Sequence, residues 1–484
     1  MKRLLEVGSL RAPLTAVVLA VMGLALSACD DKEQGLVSAA KISEQSEQSE
    51  QSEQSEQSEQ SEQPVVGLVA NTETAQIAAQ TKLIAPKAGQ EVVTQAADGE
   101  SSNTGLLNWS AGEKALLDTL SIKHLDKFRV DPSNKYQTNT QAISLGSKLF
   151  FDPRLSDNGK ISCSTCHQPN IAFSDGLPQA EGIRTGTRNT PSLLGVSHQQ
   201  WLFWDGRKDS VWSQALGPLE NPDEHNLTRV SLIHKLFAID QYRDDYAAIF
   251  GNPPSATELT SWPEKAAPNG SLESLKLWKS LAIKDRKRIN RIFANIGKTL
   301  AAYESTLEFP VSRFDQFIDQ LNQVAQADTM PVLSTREQQG LKLFIGKGAC
   351  ISCHLSPVLS NQSFQNIGTG TPGKDMGRSQ VAEAQRWDEF NCLGEYSDAP
   401  KDACKDLIYM NSNRHDMSGN FKVPSLRNVS KTAPYMHDGR FQSLAPVVAY
   451  YANPPSQAQT GHHLPPIQLN ETEQALLAEF LKAL

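Results

Sequence analysis

The pattern of apolar and polar positions divides the chain into three parts. An almost wholly apolar run from Leu14 to Leu26 follows three basic residues, which is the arrangement of a bacterial export signal. Seven Ser-Glu-Gln triplets then fill residues 43–63, and a polar period of three leaves no apolar stripe for a helix or a coiled coil. Amphipathic periodicity starts near Ser110. We therefore predict a signal peptide over 1–29, a disordered Ser-Glu-Gln-rich tether over 30–107 and a folded region beyond it.

The periodicity of the folded region predicts a mainly helical protein with long loops. Ser110 and Glu113 are spaced as a capping box, in which the side chain of each residue binds the backbone N–H of the other. The apolar pattern before Phe344 echoes the one before Phe150, a weak internal repeat that predicts two similar halves. Strand patterns are scarce. Further helical segments are predicted over 141–151, 230–250, 286–307, 335–345 and 471–484.

Composition and charge limit the classes of function. The 484 residues suffice for two or three domains. The formal net charge of −8 includes the seven glutamates of the tether repeat, so the rest of the chain carries about −1 (−8 plus 7). Nothing in this remainder is basic enough to follow a nucleic-acid backbone, and we expect no nucleic-acid partner.

Two Cys-x-x-Cys-His motifs carry the candidate chemistry. The first motif is Cys163-Ser-Thr-Cys166-His167, and the second motif is Cys350-Ile-Ser-Cys353-His354. At this spacing two thiols can bond the two vinyl-derived carbons of one porphyrin, and the adjacent imidazole becomes the proximal iron ligand. A zinc half-site is the alternative for a single copy, but two copies 187 residues apart (350 minus 163) in one exported chain disfavour it. We predict two covalently bound haem c groups, with His167 and His354 as proximal ligands.

The remaining cysteines also have predicted roles. Leu26-Ser-Ala-Cys29 is similar to a bacterial lipobox, in which Cys29 is lipidated; an ordinary signal peptide or a single membrane anchor is the alternative, although the apolar run is short for a span. Asp30 slightly favours retention at the inner membrane. Cys392 and Cys404 are left to form a disulfide in an oxidising compartment. We expect a lipid-anchored protein on the periplasmic side of a Gram-negative envelope.

Longer stretches resemble the bacterial dihaem cytochrome c peroxidase and MauG family. The similarity covers about 110–484, with both halves in the same order, and leaves the tether and the lipobox outside. It implies two mainly helical c-type haem domains, an N-terminal peroxidatic domain over 108–330 and a C-terminal electron-transfer domain over 331–484. The stretches that carry it are Trp204-Asp-Gly-Arg207, residues 212–222, residues 421–428 and residues 432–439.

The resemblance implies an open first iron with a carboxylate beside it. Many dihaem peroxidases place a distal histidine sixteen residues after the proximal one, and here that position is Ile183, which cannot bind iron. We therefore expect a five-coordinate first haem. Glu224 matches the family's distal acid/base, because splitting peroxide requires moving a proton between its oxygens. The alternative for Glu224 is a surface glutamate in a proline-rich loop, and for its neighbour His225 we expect a structural or surface role.

Other residues of the first half match the family's distal pocket and its electron path. Gln214 and Pro218 match residues that restrict access and orient peroxide or water. Trp204 matches a tryptophan between the haems, whose indole can relay electrons; ordinary core packing is the alternative. For Trp201 and Trp212 we expect core positions.

The resemblance also implies a ligand that sets the character of the second haem. Cytochrome c peroxidases place a methionine fourteen residues after the position of His437, and MauG places a tyrosine there; here the residue is Tyr451. A phenolate is a hard anionic ligand that favours ferric and higher oxidation states. A slip of one residue would give Tyr450 instead. If both tyrosines are core, Met436 or Met417 is the candidate.

A calcium site and an inserted loop complete the expectations. Asn189, Thr432 and Pro434 match the family's inter-haem Ca²⁺ site, and oxygen ligands with water suit this hard cation. Cys392 and Cys404 lie in what looks like an inserted loop over 387–415, which a disulfide would pin.

The leading functional hypothesis is a dihaem peroxidase. It would reduce hydrogen peroxide to water with electrons from a cytochrome c, a cupredoxin or a quinol donor. The alternative is a MauG-like enzyme that uses H2O2 and a high-valent dihaem state to oxidise side chains of a partner protein. Ile183 and Tyr451 favour MauG-like redox behaviour. A hypothesis of another class is a non-catalytic electron carrier or redox sensor, which predicts two six-coordinate haems.

Overall fold

The computed structural model describes residues 105–323, 330–371, 373–456, 461–462, 464 and 467–484. The predicted signal peptide, its Cys29 and the tether up to residue 104 lie outside this range. In the parts of the chain that are described, each helix is too short or too polar to cross a bilayer.

The described chain is mainly helical, as predicted, with one short antiparallel pair of strands, β1 (Phe364–Gln365) and β2 (Phe421–Lys422). The α-helices are α1 (Ala111–Asp118), α2 (Thr140–Phe150), α3 (Cys163–Cys166), α4 (Val211–Glu220), α5 (Arg229–Phe237), α6 (Asp240–Phe250), α7 (Ala256–Ser261), α8 (Leu272–Ser280), α9 (Ile283–Glu304), α10 (Arg313–Asn322), α11 (Thr335–Ile345), α12 (Ala382–Arg386), α13 (Lys405–Tyr409), α14 (Leu444–Ala452) and α15 (Glu471–Leu481).

Local sequence signals explain most helix ends. The Ser110 side chain accepts from the Glu113 N–H and the Glu113 carboxylate accepts from the Ser110 N–H, so the predicted capping box is confirmed. The single helix predicted over 230–250 is wrong, because α5 and α6 are separated at Ile239, whose extended backbone turns the chain. The turn lets both helices bury apolar faces in the same core, an outcome that one continuous periodicity does not reveal.

Two hydrophobic cores organise the described residues. The first core surrounds α9, which packs on α2 and α4, and it also takes Phe390 and Tyr396 from the second half of the sequence. The second core surrounds α11 and α15, and it takes Trp109 and Leu117 from the start of the described chain. All of these residues belong to one compact unit. Each core thus draws on both halves of the sequence, and the domain limits at 330 and 331 stay a prediction.

An internal repeat relates residues 189–220 to residues 422–453 with a shift of 233 positions, as from 196 to 429. Val196–His198 and Val429–Lys431 are equivalent 3-10 helices, and α4 and α14 begin at equivalent positions. Backbone details repeat as well, because Phe203 and Met436 both have positive φ, at 66° and 72°. The other equivalent pairs are Gly195 with Asn428, Gly206 with Gly439, and the bridge Leu202–Lys208 with the bridge Tyr435–Phe441.

Candidate dihaem active site

The first motif is one helical turn that ends at His167. The His167 N–H donates to the Cys163 carbonyl at 2.9 Å, and its ring Nδ1 donates to the Phe173 carbonyl at 3.0 Å. Because a carbonyl oxygen only accepts, Nδ1 carries the ring proton and Nε2 keeps its lone pair. Burial lowers the pKa of His167, which also favours the neutral imidazole. His167 is therefore prepared to bind a metal through Nε2.

The second motif repeats this geometry. The His354 N–H donates to the Cys350 carbonyl at 2.9 Å, and its Nδ1 donates to the Leu359 carbonyl at 3.0 Å. Burial lowers the pKa of His354 to about 4. The accepting residues Phe173 and Leu359 share a left-handed backbone, with φ of 55° and 51°. The chain therefore builds the same imidazole ligand twice.

The four motif cysteines fit haem c better than zinc. Cys163, Cys166, Cys350 and Cys353 form no disulfide, and each pair lies beside a histidine with an available Nε2. Burial raises the pKa of Cys166 and of Cys350 to about 12. These surroundings favour neutral sulfur, the form present in a thioether. A structural zinc site needs four ligands, and among the described residues no group of three or more Cys, His, Asp or Glu side chains could hold a metal ion.

Glu224 lies beside the first motif. Its carbonyl accepts the Ile183 N–H at 3.2 Å, and a Cβ on Gly182 would lie 2.8 Å from the Glu224 Cα, so the two segments pack without room for a side chain. The Cys166 Sγ lies 3.7 Å from the Glu181 carbonyl of the same turn. After burial, the negative charge of Glu224 is among the causes that raise the pKa of both first-motif thiols. The turn that carries Ile183 thus ties Glu224 to the first motif.

The Glu224 carboxyl group is oriented from one side. Asn221 Nδ2 donates to Glu224 Oε1 at 2.6 Å, and Asn221 Oδ1 accepts the Asp223 N–H at 3.0 Å, which fixes the orientation of the amide. Burial raises the pKa of Glu224 above its ordinary value, while the Asn221 hydrogen bond and the charge of Arg207 oppose this rise. A carboxyl group with a pKa moved towards neutrality suits proton exchange.

Helix α4 ends close to Glu224, because the Pro218 carbonyl accepts the His225 N–H at 3.2 Å, and the charge of Arg207 acts on the Glu224 carboxyl group. Gln214 and Pro218 are one turn apart on α4 and therefore lie on the same face. A Cβ on Gly217 would lie 3.3 Å from the Phe203 ring. The Arg207 guanidinium lies over that ring, 3.5 Å from its centroid, as in a cation–π contact. The predicted pocket residues and Glu224 thus share one region of the first half.

Trp204 is held between the two halves of the sequence. Its indole N–H donates to the Asn189 carbonyl at 2.9 Å, and its own carbonyl accepts the Lys422 N–H at 2.8 Å. Trp201 and Trp212 are both buried, as expected for core positions. Of the three tryptophans, Trp204 is the one whose polar groups join segments of both halves.

His225 has a backbone partner in the first half. Its Nδ1 donates to the Leu155 carbonyl at 2.7 Å, and the side chain is buried. Burial lowers the pKa of His225 and favours the neutral ring. These contacts anchor the loop after Glu224 and give His225 a structural role.

The structure separates the two tyrosine candidates. Burial raises the pKa of Tyr451, and the charges of Cys350 and Cys353 add to the rise, which puts this phenol beside the second motif. The Tyr450 hydroxyl donates instead to the Ile367 carbonyl at 2.8 Å. The geometry therefore favours Tyr451 as the phenol available to the second site.

The internal repeat supports the same distinction. Tyr451 is equivalent to Pro218, and Met436 is equivalent to Phe203, the ring beside α4 in the first half. Met417 has no such equivalence, and its Sδ accepts from Asn420 Nδ2 at 3.8 Å. Tyr451 thus stands where the first half has a pocket residue.

A hydrogen bond joins the two segments that carry the predicted calcium residues. The Asn189 N–H donates to the His437 carbonyl at 2.8 Å, close in sequence to Thr432 and Pro434. Asn189 Nδ2 donates to the Leu177 carbonyl at 2.8 Å, so Oδ1 is its side-chain atom for a cation. Within the described residues, no cluster of three or more acidic, histidine or cysteine side chains could hold a metal. A cation here would depend on neutral oxygens, which Ca²⁺ accepts.

A disulfide joins Cys392 and Cys404, whose Cα atoms are 5.7 Å apart. Tyr396 inside the closed segment and Phe390 just before it both belong to the first core. The loop expected over 387–415 is therefore part of the packing of the first half, although it belongs to the second half of the sequence.

Sequence reasoning missed two polar residues. Asn221, which orients Glu224, lies three residues before it, and this spacing alone is a weak indication of the contact. Arg188 donates to the Asp375 carboxylate at 2.8 Å through both Nε and Nη2 and to the Asp205 carboxylate at 2.6 Å. No sequence pattern pairs Arg188 with Asp375, because the two residues are 187 positions apart and meet only in the folded chain.

A helical fold with two histidine ligands, each beside a pair of thiols, defines a dihaem protein. Residues 140–323 match the family model described as Di-haem cytochrome c peroxidase. The chain is 30% identical over 351 residues to the cytochrome-c peroxidase IdrP1 of Denitromonas iodatirespirans, covering 71% of this chain and 81% of that protein. It is 28% identical over 349 residues to the methylamine utilization protein MauG of Methylorubrum extorquens, covering 71% and 78%.

Solved structures show the same fold. A MauG-like protein associated with microbial copper homeostasis matches with a TM-score of 0.52 and 23% identity, over 75% of this chain and 93% of that one. The diheme peroxidase BthA from Burkholderia thailandensis matches with a TM-score of 0.52 and 22% identity, over 73% and 88%. The chain belongs to the dihaem cytochrome c peroxidase and MauG family, which confirms the resemblance. It is an oxidoreductase with two haem cofactors.

Proposed function

We propose that this protein reduces hydrogen peroxide to water at the first haem site, with electrons supplied through the second. The placement of Glu224 beside the first motif carries the proposal. Its backbone is tied to Ile183, and its carboxyl group is oriented by Asn221. An electron carrier would have no use for an oriented carboxyl group at this place.

The haems, when bound, supply iron that exchanges electrons and a coordination position for peroxide. The residues of the chain supply the proton transfer. Glu224 takes the proton from one peroxide oxygen and returns it to the other, so that water is the leaving group. Oε1 is occupied by the Asn221 amide, so Oε2 is the atom that holds the moving proton. Gln214 and Pro218, on one face of α4, restrict and orient what enters.

Each motif is proposed to hold one haem covalently, through Cys163 and Cys166 in the first and Cys350 and Cys353 in the second. The observation in support is the pairing of free thiols with an imidazole whose Nδ1 is already donating. Tyr451 is the proposed second axial ligand at the second haem. Its support is its nearness to the second motif and its equivalence to Pro218.

Trp204 is the proposed electron relay, and a calcium ion is proposed between the haems. Trp204 donates to Asn189 and accepts from the other half, which supports a position on the path. Asn189, Thr432 and Pro434 would offer Ca²⁺ neutral oxygens. The electron donor would be a cytochrome c, a cupredoxin or a quinol. The proposed location is the periplasmic face of a Gram-negative envelope, with Cys29 as the lipid anchor and the inner membrane slightly favoured.

A MauG-like reaction is the second candidate, in which H2O2 drives the oxidation of side chains of a partner protein. Two observations favour it. Ile183 stands where many peroxidases have a distal histidine, and the phenol of Tyr451 lies by the second motif. A phenolate favours the oxidised states that such a reaction needs.

Turnover with two kinds of reductant tests the proposal. Purified holoprotein is mixed with H2O2 and a reduced small cytochrome c, and cytochrome oxidation is followed optically. Sustained oxidation that depends on peroxide supports the peroxidase. Without it, peroxide-dependent oxidation of partner tryptophan or tyrosine, read by mass spectrometry, supports the MauG-like reaction. If peroxide reacts with neither haem, both proposals fail.

A further inference from the structure

Lys422 and Asn189 make the same cross-half hydrogen bond. They occupy equivalent positions of the internal repeat, and so do Trp204 and His437. The Asn189 N–H donates to the His437 carbonyl at 2.8 Å, and the Lys422 N–H donates to the Trp204 carbonyl at 2.8 Å. Each half therefore reaches into the other with one equivalent bond.

The side-chain partner of Lys422 also has an equivalent in the calcium site. Lys422 Nζ donates to Gln199 Oε1 at 2.7 Å. Gln199 is equivalent to Thr432 in the repeat. The pair of Asn189 with Thr432, proposed to hold Ca²⁺, thus corresponds to the pair of Lys422 with Gln199.

The charge of Lys422 completes the parallel. The Lys422 side chain is half-buried, and burial lowers its pKa to about 8, which leaves the ammonium positive at neutral pH. Its hydrogen-bond acceptor is a neutral amide oxygen, and no carboxylate of the described residues forms an ion pair with it. A partly desolvated cation with a neutral partner is unfavourable unless an anionic group of the working site balances it. The chain keeps a positive charge here without a carboxylate of its own.

We propose that the Lys422 ammonium is a built-in cation. The repeat gives two equivalent places between the halves, and the ammonium occupies one of them as Ca²⁺ occupies the other. This inference rests on the calcium site of the proposed function. It explains why the second half has lysine where the first has asparagine: one place binds a metal ion, and the other needs none. It also puts a fixed positive charge beside the segment of Trp204, where it favours the reduced state of neighbouring redox groups.

Three substitutions at this position test the inference in the purified holoprotein. K422N recreates the asparagine of the equivalent place, K422M removes the charge at similar volume, and K422R keeps the charge. The control is K298M, which removes a buried ammonium that is paired with Asp398 at 2.6 Å. Calcium stoichiometry is measured by isothermal titration with CaCl2 after chelation, and haem midpoint potentials by optical redox titration.

The expected results differ for each variant. Wild type, K422M, K422R and K298M bind one Ca²⁺, and K422N binds two. K422M shifts the reduction equilibrium of at least one haem about tenfold towards the oxidised form, or about 59 mV for one electron, whereas K422R retains the wild-type value. One calcium ion in K422N together with wild-type potentials in K422M overturns the inference. If wild type binds no calcium, the proposed metal site fails, and unchanged potentials in K422M then refute the role of Lys422 separately. If K422M does not fold, K422N and K422R decide in the same way.

Discussion

Replacing Glu224 with glutamine tests the proposed proton transfer while preserving the local structure. The Glu224→Gln side chain has the same shape, and its amide oxygen can still accept from Asn221 Nδ2, which now lies 2.6 Å from Oε1. The amide NH2 group then occupies the position of Oε2, where it cannot take up a proton. The change therefore removes the base and keeps the bond that orients it.

The size of the effect follows from the role of the carboxylate. A positioned general base contributes roughly 10²–10⁴ in rate, and at 1.36 kcal/mol per factor of ten this is about 3–5 kcal/mol of barrier. The pH dependence has a definite sign. The base is active when ionised, so the wild-type rate falls as pH falls through the pKa of Glu224. Burial raises that pKa, so the fall begins above the pH at which an exposed glutamate titrates.

Stopped-flow mixing of ferric holoprotein with H2O2, from pH 5 to 8, measures these rates. The reaction of the variant with H2O2 should be slower by roughly two to four orders of magnitude. Its rate should also lack the acid limb, which is the fall of the wild-type rate at low pH. Glu181→Gln is the matched control, because it makes the same charge change on an exposed side chain of the neighbouring turn. A Glu224→Gln protein that reacts as fast as wild type, with the same pH profile, refutes the assignment of Glu224.

Three further substitutions test other parts of the account. Asn221→Ala removes a hydrogen bond that lowers the pKa of Glu224, so the acid limb of the peroxide reaction should move to higher pH; an unmoved limb would contradict the contact. Asp315→Asn leaves the buried Arg427 without the carboxylate that it contacts at 2.8 Å, and denaturant unfolding should show a loss of about 3–5 kcal/mol; a change below about 1 kcal/mol would argue against the pair. Glu304 is buried with an unpaired Oε2, and its pKa is raised to about 8, so its contribution to stability is full below its unfolded pKa of about 4.5 and is lost as pH rises through 8. Glu304→Gln should therefore be more stable than wild type near pH 8, by at most about 4 kcal/mol. It should also lose less thermal stability than wild type between pH 5 and 8, and equal profiles of melting temperature against pH would contradict this.

The parts of the fold that follow local rules could be predicted from sequence. Helix α1 begins where Ser110 and Glu113 form a capping box, and the Cys-x-x-Cys-His motifs identify their own ligands. Interactions between residues that are close in sequence determine these features, so they can be read from the sequence itself.

Features set by long-range packing could not be predicted in this way. Phe390 and Tyr396 join the first core from a segment far along the chain, and Arg188 meets Asp375 only in the folded state. The two Asp-Gly-Arg sequences, at 205–207 and 438–440, are a partial sign of the internal repeat. The repeat itself is recognised from shared backbone conformations, which few identical residues encode.

The coordination of the two irons tests the central claim most directly. Electron paramagnetic resonance of the purified ferric holoprotein should show one high-spin haem, open because Ile183 cannot bind iron, and one low-spin haem. One equivalent of H2O2 should remove the high-spin signal within seconds. Two low-spin signals that peroxide leaves unchanged would contradict the account.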